Sequence, residues 1–353
     1  MVVDRRHVIT GLAGLAVSGC SSAKAPAADR AARGTTGRPA PAAKPRPGQP
    51  SDDVNWAAFR ARFMDPSGRI IDNGNGNVSH TEGQSYALAM AVASGDRAGF
   101  ETVYRWTEAN LARPDMALYS WRYDPAKANP VEDRNNATDG DLLIAYALAK
   151  AADRWQEPRY AARSRAIADA IAARLTRSVG GRMLLLPALT GFSAPDRTTV
   201  NPSYYVWPAL DLFARTGDAA TWRRVIADGE ALLTAARFGG SRLPTDWIDV
   251  SNTGAVSPAA DKPPRFGFDA IRVPLYASVT GRSAILEPIR SFWRSMPAER
   301  IPAWVDVVSG KVAEYPLSVG GQAVVGRTLG TTRPTALSTD YFAASLQCLA
   351  GMF

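Results

Sequence analysis

The sequence has 353 residues, enough for one large domain or two domains of ordinary size. It carries a formal net charge of +8, but residues 1–50 supply +6 of that charge, so residues 51–353 are nearly neutral. Because those residues contain no block of Lys and Arg, a nucleic acid is disfavoured as a partner.

Residues 1–20 are predicted to be an export signal of the lipoprotein type. Arg5 and Arg6 lie in a segment that resembles a twin-arginine motif, and residues 8–17 form a short apolar stretch, about half of the roughly 20 residues that a membrane-spanning helix needs. The residues that end at Cys20, Val-Ser-Gly-Cys, resemble a bacterial lipobox, in which the cysteine is acylated. The alternative is an ordinary leader with an incidental cysteine. We expect a protein anchored by lipid on the periplasmic side of the inner or outer membrane.

Residues 21–52 are predicted to be a disordered tether, because Ala, Pro, Gly, Lys and Arg dominate them and large apolar side chains are scarce. Residues 53–353 are predicted to form the folded, catalytic domain. The other cysteine, Cys348, lies in an apolar run and is expected to be a buried, inert thiol.

Helical periodicity dominates the predicted domain, and no regular alternation of strands and helices accompanies it. The pattern predicts an all-α fold, a toroid of helix pairs with a few short β pieces in loops, such as 182–186. The predicted helices are 55–63, 82–93, 99–111, 139–154, 158–175, 204–215, 219–237, 270–278, 284–294 and 334–351.

Common sets of catalytic groups are missing from the chain. The only histidines are His7, in the leader, and His80, so an ordinary zinc or iron site is not expected and no cofactor is predicted. No Gly-x-Ser-x-Gly motif and no phosphate-binding loop is present. Carboxylates, aromatic rings and amides remain, and these are the groups that glycoside hydrolysis uses.

Glu82 follows a polar Gly/Asn loop, residues 72–80, and opens an apolar helix. One interpretation is a capping box, with Ser79 as the N-cap residue and Glu82 three residues later. The functional interpretation is that Glu82 lies at the floor of a pocket and donates a proton.

Asp139 and Asp141 flank Gly140 at the start of another apolar helix. Helix capping accounts for one of them, and Ca²⁺ binding is the other alternative, although the spacing of an EF-hand is absent. We expect Asp141 to have a structural role.

Five separated segments together resemble glycoside hydrolase family 8. Residues 137–148 resemble the signature of that family, and residues 78–86 its proton-donor segment. The other three similar segments are 201–204 (Asn-Pro-Ser-Tyr), 244–247 (Pro-Thr-Asp-Trp) and 266–274 (Phe-Gly-Phe-Asp-Ala-Ile-Arg-Val-Pro). Within the family, the segments most resemble the periplasmic cellulases of bacterial cellulose-synthesis systems.

The resemblance implies an (α/α)₆ barrel and an inverting reaction. It implies that Glu82 is the general acid, that Asp269 is the general base, and that Asp139 binds and distorts the sugar at the cleavage point. Two positions depart from the family pattern: Phe268 stands where tyrosine is common, and Thr81 where serine is common.

Four residues are predicted to bind the substrate: Trp121, Tyr204, Trp247 and Arg272. For the aromatic residues the alternative is core packing, and for Arg272 it is a structural salt bridge.

The resemblance implies an endo-β-1,4-glucanase that acts on cellulose, with cellulose-synthesis machinery as an expected partner. A chitosanase, xylanase or mixed-linkage glucanase is an alternative within the family. From another class, a glycan-binding lipoprotein without activity is the third hypothesis.

Overall fold

The computed structural model describes residues 55–353, so the predictions for residues 1–20, for Cys20 and for residues 21–52 lie outside the described part. The described residues contain eleven α-helices, separated by loops that carry short strands. The helices are α1 (Trp56–Phe63), α2 (Thr81–Ser94), α3 (Arg97–Leu111), α4 (Thr138–Trp155), α5 (Pro158–Arg174), α6 (Trp207–Thr216), α7 (Ala219–Ala235), α8 (Arg272–Val279), α9 (Ser283–Arg294), α10 (Val319–Leu329) and α11 (Tyr341–Met352).

Six of these helices form a closed inner ring. Each packs on the next in the order α2, α4, α6, α8, α10 and α11, and α11 returns to α2. The other helices lie outside the ring: α3 packs on α2, α5 on α4, α7 on α6, α9 on α8 and α10, and α1 on α11 and α2. The prediction of an all-α, (α/α)₆ type of barrel is confirmed by this arrangement.

The inner helices differ from the outer ones in how their side chains are buried. In α2 every residue from Gly83 to Val92 is buried, and in α11 so is every residue from Tyr341 to Ala350. An outer helix such as α5 buries one stripe only. Because a helix that is apolar on all sides is stable only when it is enclosed, the sequences of α2 and α11 require the inner positions.

The strands are short antiparallel pairs in the loops between helices. β1 pairs with β2, β3 with β4, β6 with both β5 and β7, and β8 with β9. The strands are β1 (Ser79–His80), β2 (Arg122–Tyr123), β3 (Thr176–Val179), β4 (Arg182–Leu185), β5 (Arg197–Val200), β6 (Ile248–Ser251), β7 (Val256–Pro258), β8 (Arg265–Phe266) and β9 (Val305–Asp306). β1 leads directly into α2, and β8 shortly precedes α8, so these pairs fix the entry of the chain into two inner helices.

Three details of the helix prediction were wrong. The helix α10 was not predicted, and the last helix begins at Tyr341 instead of residue 334 because the side chain of Asp340 accepts a hydrogen bond from the amide of Ala343. The helix predicted from residue 204 begins at Trp207, after a turn of 3₁₀ helix at Pro202–Tyr204.

Cys348 is buried in α11, as predicted, and burial raises the pKa of its thiol to about 12. Within residues 55–353, no helix combines the length and the apolar character that crossing a membrane requires.

Candidate active site

Glu82 lies in the first turn of α2, and His80 is the residue that caps this helix. The Nδ1 atom of His80 accepts a hydrogen bond of 3.1 Å from the amide of Gly83, and its Nε2 atom lies 3.2 Å from Asp72. Ser79 instead donates its hydroxyl to the carbonyl of Ile70. The capping-box interpretation of Ser79 and Glu82 is therefore wrong, since Glu82 is not needed at the helix terminus.

Arg272, at the start of α8, connects the three carboxylates that the sequence singled out. Its Nη1 atom lies 2.7 Å from Glu82 and 3.0 Å from Asp139, and its Nη2 atom lies 2.6 Å from Asp269. Nη1 also donates to the hydroxyl of Tyr86 at 3.0 Å. The structure thus brings together residues of α2, α4 and α8 that are far apart in the sequence.

The charges in this cluster do not balance. Arg272 is 2% exposed, and the side chains of Glu82, Asp139 and Asp269 are 21%, 8% and 19% exposed. Burial raises the pKa of Asp139 to about 6; Arg272 opposes this rise, and the charges of Glu82 and Asp269 add to it. Burial likewise raises the pKa of Asp269, against the opposing effect of Arg272. Three carboxylates around one guanidinium therefore favour a state in which the cluster retains a proton.

The carboxylates of Glu82 and Asp269 contact different nitrogens of the same guanidinium group. Their contacts of 2.7 and 2.6 Å limit the separation of the two contacting oxygens to no more than roughly 8 Å. An inverting pair is separated by roughly 6.5–9.5 Å, which leaves room for a water molecule. The upper limit of roughly 8 Å lies inside this range, so the two contacts are compatible with the separation of an inverting pair.

Asp141 is completely buried, and its two oxygens are held by protein groups. One accepts a hydrogen bond from the amide of Tyr119 at 3.1 Å, and the other from the Nδ2 atom of Asn136 at 2.8 Å. Burial raises its pKa to about 8, although both hydrogen bonds act in the opposite direction. These contacts agree with the structural role predicted for Asp141.

Asp246 was not predicted as a site residue, although it lies in one of the segments that resemble the family. Its carboxylate accepts hydrogen bonds from the amides of Gly267, Asp269 and Ala270, so it holds the turn on which Asp269 is placed. Burial and the charge of Asp269 raise the pKa of Asp246 to about 7.

Trp121 lies beside the start of α2. Its carbonyl accepts a hydrogen bond from the amide of Thr81 at 2.9 Å, and the strand pair β1–β2 continues this contact. Its indole Nε1 atom donates to Asp133 at 2.7 Å, which fixes the orientation of the ring. Trp121 is partly exposed, and the guanidinium of Arg122 lies 6.0 Å from the centroid of its ring, so its predicted contact with substrate stays a prediction.

Trp247, which is predicted to bind substrate with core packing as the alternative, is 2% exposed. The ring of Phe192 stacks on it with a centroid distance of 5.3 Å and an angle of 5°. The partly exposed ring of this stack is Phe192, which Trp247 supports, and a direct contact of Trp247 with substrate stays a prediction. Tyr204, which is 6% exposed, lies against both Trp247 and Arg272; its predicted contact with substrate stays a prediction.

A cavity of about 590 Å³ opens next to the turn that carries Asp269. Aromatic rings of Phe268, Tyr315 and Phe342 contribute to its wall, together with Asn73 from the polar loop before α2. A cavity of this size and lining can hold sugar rings; it borders Gly267 and Phe268, which directly precede Asp269.

Sequence reasoning missed Tyr86, Phe192 and Asp246 as parts of the site. A signal existed for Tyr86, which lies four residues after Glu82 and hence on the same helix face. No local signal distinguishes Phe192 from a core residue. Within residues 55–353, no group of His, Cys, Asp and Glu has the arrangement of a metal site.

The sequence and the structure are both similar to those of known enzymes. The family profile described as "Glycosyl hydrolases family 8" matches residues 42–352. An endoglucanase of Cellulomonas uda is 44% identical over 276 residues, which cover 78% of this chain and 77% of that protein.

Solved structures with a TM-score of 0.82 to this one include two bacterial endoglucanases. An endoglucanase of Klebsiella pneumoniae is 42% identical, with 84% of this chain and 96% of that chain covered. An endo-β-1,4-glucanase of Acetobacter xylinum is 40% identical, with coverages of 86% and 98%. With matched motifs, the same fold and nearly the whole described chain covered, the protein belongs to glycosyl hydrolase family 8.

Proposed function

We propose that the protein is an endo-acting β-1,4-glucanase that cleaves cellulose with inversion at the anomeric carbon. The observation that carries the proposal is the cluster of Glu82, Asp139 and Asp269 around Arg272. The relatives described above as endoglucanases support the choice of substrate.

In the proposed reaction, Glu82 donates its proton to the glycosidic oxygen as the bond from that oxygen to the anomeric carbon breaks. A water molecule attacks the anomeric carbon from the opposite face, and Asp269 accepts the proton that the water loses. Asp139, which contacts the same guanidinium, stabilises the positive charge that develops on the sugar ring. One water molecule is consumed, and the new reducing end is first formed as the α-anomer.

Binding of the glucan chain is proposed to use the partly exposed rings of Trp121 and Phe192. The aromatic cavity next to Phe268 is proposed to hold a further part of the chain. Sugar rings pack their C–H faces on aromatic rings, and such contacts tolerate the repeated geometry of a polymer.

The test is the release of reducing sugar from carboxymethylcellulose by the wild type, Glu82→Gln and Asp269→Asn. Removal of a general acid or base lowers the rate by roughly 10²–10⁴-fold. Asp211→Asn, which changes a carboxylate paired with Arg282 away from the site, serves as a control and should keep the rate. Proton NMR of the first product should show the α-anomer, whereas the β-anomer would refute inversion.

A panel of chitosan, xylan and mixed-linkage β-glucan tests the substrate separately. Cleavage of one of these with no cleavage of cellulose would retain the mechanism and refute the substrate. Binding of a glucan without new reducing ends would favour a glycan-binding protein instead.

We also propose that the protein is exported and anchored to a membrane by acylation of Cys20, with cellulose made by the cell as its substrate. The support is the Val-Ser-Gly-Cys sequence at residues 17–20 and the Ala- and Pro-rich composition of the segment that follows. Labelled fatty acid should be incorporated into the wild type and not into Cys20→Ser, which should move from the membrane fraction to the soluble fraction. Equal labelling of both proteins would refute the anchor.

A further inference from the structure

Asp246 makes an unusual set of contacts for a side chain outside the reacting groups. A single oxygen, Oδ1, accepts hydrogen bonds from the amides of Gly267 at 3.1 Å, Asp269 at 3.1 Å and Ala270 at 2.7 Å. The amide of Asp246 itself donates to the carbonyl of Arg265 at 2.7 Å. Asp246 is therefore hydrogen-bonded both to Arg265 and to the turn formed by residues 267–270.

The turn held in this way carries both Asp269 and Arg272. The amide of Arg272 donates to the carbonyl of Asp269, so the position of one residue determines that of the other. Gly267 leaves room for this carboxylate, because a Cβ atom there would lie 2.9 Å from Oδ2 of Asp246 and 3.4 Å from Cβ of Trp304. Glycine thus lets the carboxylate of Asp246 approach the backbone of the turn closely.

The Oδ1 atom of Asp246 can accept these three hydrogen bonds in either ionisation state, since the proton of the neutral form can lie on Oδ2, and the bonds are stronger in the ionised form. Three of them on one oxygen hold the backbone of the base in a single position. Since a displacement of about 1 Å of a catalytic group can lower a rate by about 10²-fold, this rigidity bears on the reaction.

We propose that Asp246 is a positioning residue that holds Asp269 and Arg272 in the geometry needed for attack by water. The proposal rests on the role of Asp269 as general base that is proposed above. Asp246 does not contact the scissile bond in this scheme; it acts through the backbone of residues 267–270.

The experiment compares Asp246→Ala and Asp246→Asn with wild type on a soluble cello-oligosaccharide, with kcat and KM measured separately. Asp246→Ala loses all three acceptor contacts, and its kcat should fall by about 10²-fold, with KM changed by no more than about 3-fold. Asp246→Asn retains an acceptor oxygen, so its kcat should lie between those of Asp246→Ala and wild type.

The matched control is Asp249→Ala. Asp249 is a buried carboxylate three residues further along the chain, and it too accepts a backbone hydrogen bond, from Ala260, together with one from the hydroxyl of Thr199. It does not contact the turn of Asp269 through any of these bonds. Its removal should lower the melting temperature and leave the kcat of the folded enzyme unchanged.

Several outcomes would overturn the proposal. The first is a kcat of Asp246→Ala equal to that of Asp249→Ala, and the second is a loss of activity through KM alone. Where Asp246→Ala does not fold, an Asp246→Asn variant with the kcat of wild type overturns it, and one with a lowered kcat and unchanged KM supports it. Asp269→Asn is measured in parallel. Full activity of Asp269→Asn would refute the role of Asp269 as the base. If Asp269→Asn is inactive and the Asp246 variants are fully active, only the positioning role of Asp246 is refuted.

Discussion

Replacement of Arg272 by methionine should destabilise the protein and abolish its activity, with a stability defect that depends on pH. Removal of one partner from a buried ion pair costs about 3–5 kcal/mol, because the remaining charge stays buried and unpaired. For a domain of this size, roughly 2–4 °C of melting temperature correspond to each kcal/mol, so the expected decrease near neutral pH is roughly 6–20 °C.

The sign of the pH dependence follows from the carboxylates. Arg272 opposes the rise in pKa of both Asp139 and Asp269, so its removal raises these values further. A carboxyl group with a raised pKa in the folded state contributes stability that is complete below its unfolded value, about 4, and is lost as the pH rises through its folded value. The decrease in melting temperature should therefore be larger near pH 8 than near pH 5.

The measurements are melting temperatures at these two pH values and the rate of reducing-sugar release. Arg282→Met is the control, since Arg282 pairs with Asp211 and Glu230 away from the site and its loss should leave the rate of the folded protein unchanged. A decrease in the melting temperature of Arg272→Met that is the same at both pH values would refute the electrostatic reasoning. So would a variant as active as wild type.

Three further predictions concern binding and stability. Trp121→Ala and Phe192→Ala should each raise the KM for a soluble cello-oligosaccharide by about 3–10-fold with little change in kcat, since a lost stacking contact is worth about 0.5–1.5 kcal/mol; an unchanged KM would exclude the ring from binding. Asp141→Asn should make the melting temperature less dependent on pH between about pH 5 and 8. The reason is that the raised pKa of Asp141 makes the wild type lose stability as the pH rises through this range. Parallel plots of melting temperature against pH for the two proteins would contradict this. Gly320→Ala should lower the free energy of unfolding by about 1–3 kcal/mol and leave kcat unchanged, because its Cβ would lie 2.3 Å from the carbonyl oxygen of Ala343. A melting temperature equal to that of wild type would show that α10 and α11 can move apart without loss of stability.

Most of the helices could be predicted from the sequence because their apolar residues recur at helical spacing. The helix α10 escaped prediction because Gly320, Gly321 and Gly326 give its sequence a low helix propensity. Tertiary packing explains Gly320, which allows α10 to approach α11 more closely than any side chain would permit. Contacts between distant segments outweigh local propensity in this helix, and a single sequence does not reveal them.

The roles of the aromatic residues could be predicted only in part. Trp121 and Trp247 look alike in the sequence, since each lies in a polar loop segment near a predicted helix. In the structure Trp121 is partly exposed, whereas Phe192 covers Trp247, which is 2% exposed. Phe192 belongs to the loop before β5, and the packing of one loop on another depends on the complete fold.

The three carboxylates could be found from the resemblance to the family. That Arg272 contacts all three of them could not be predicted from the sequence. Arg272 contacts Glu82 across 190 positions of sequence and Asp139 across 133, so only closure of the inner ring brings the groups together. The same closure explains why the cluster is suited to acid–base chemistry. One cation cannot neutralise three carboxylates that are largely shielded from solvent, so a proton is retained among them. An inverting hydrolase needs one group protonated and another ionised at the same pH. The sequence motifs therefore provide the carboxyl groups that titrate, and the closed ring of helices brings them close enough around Arg272 for one of them to stay protonated.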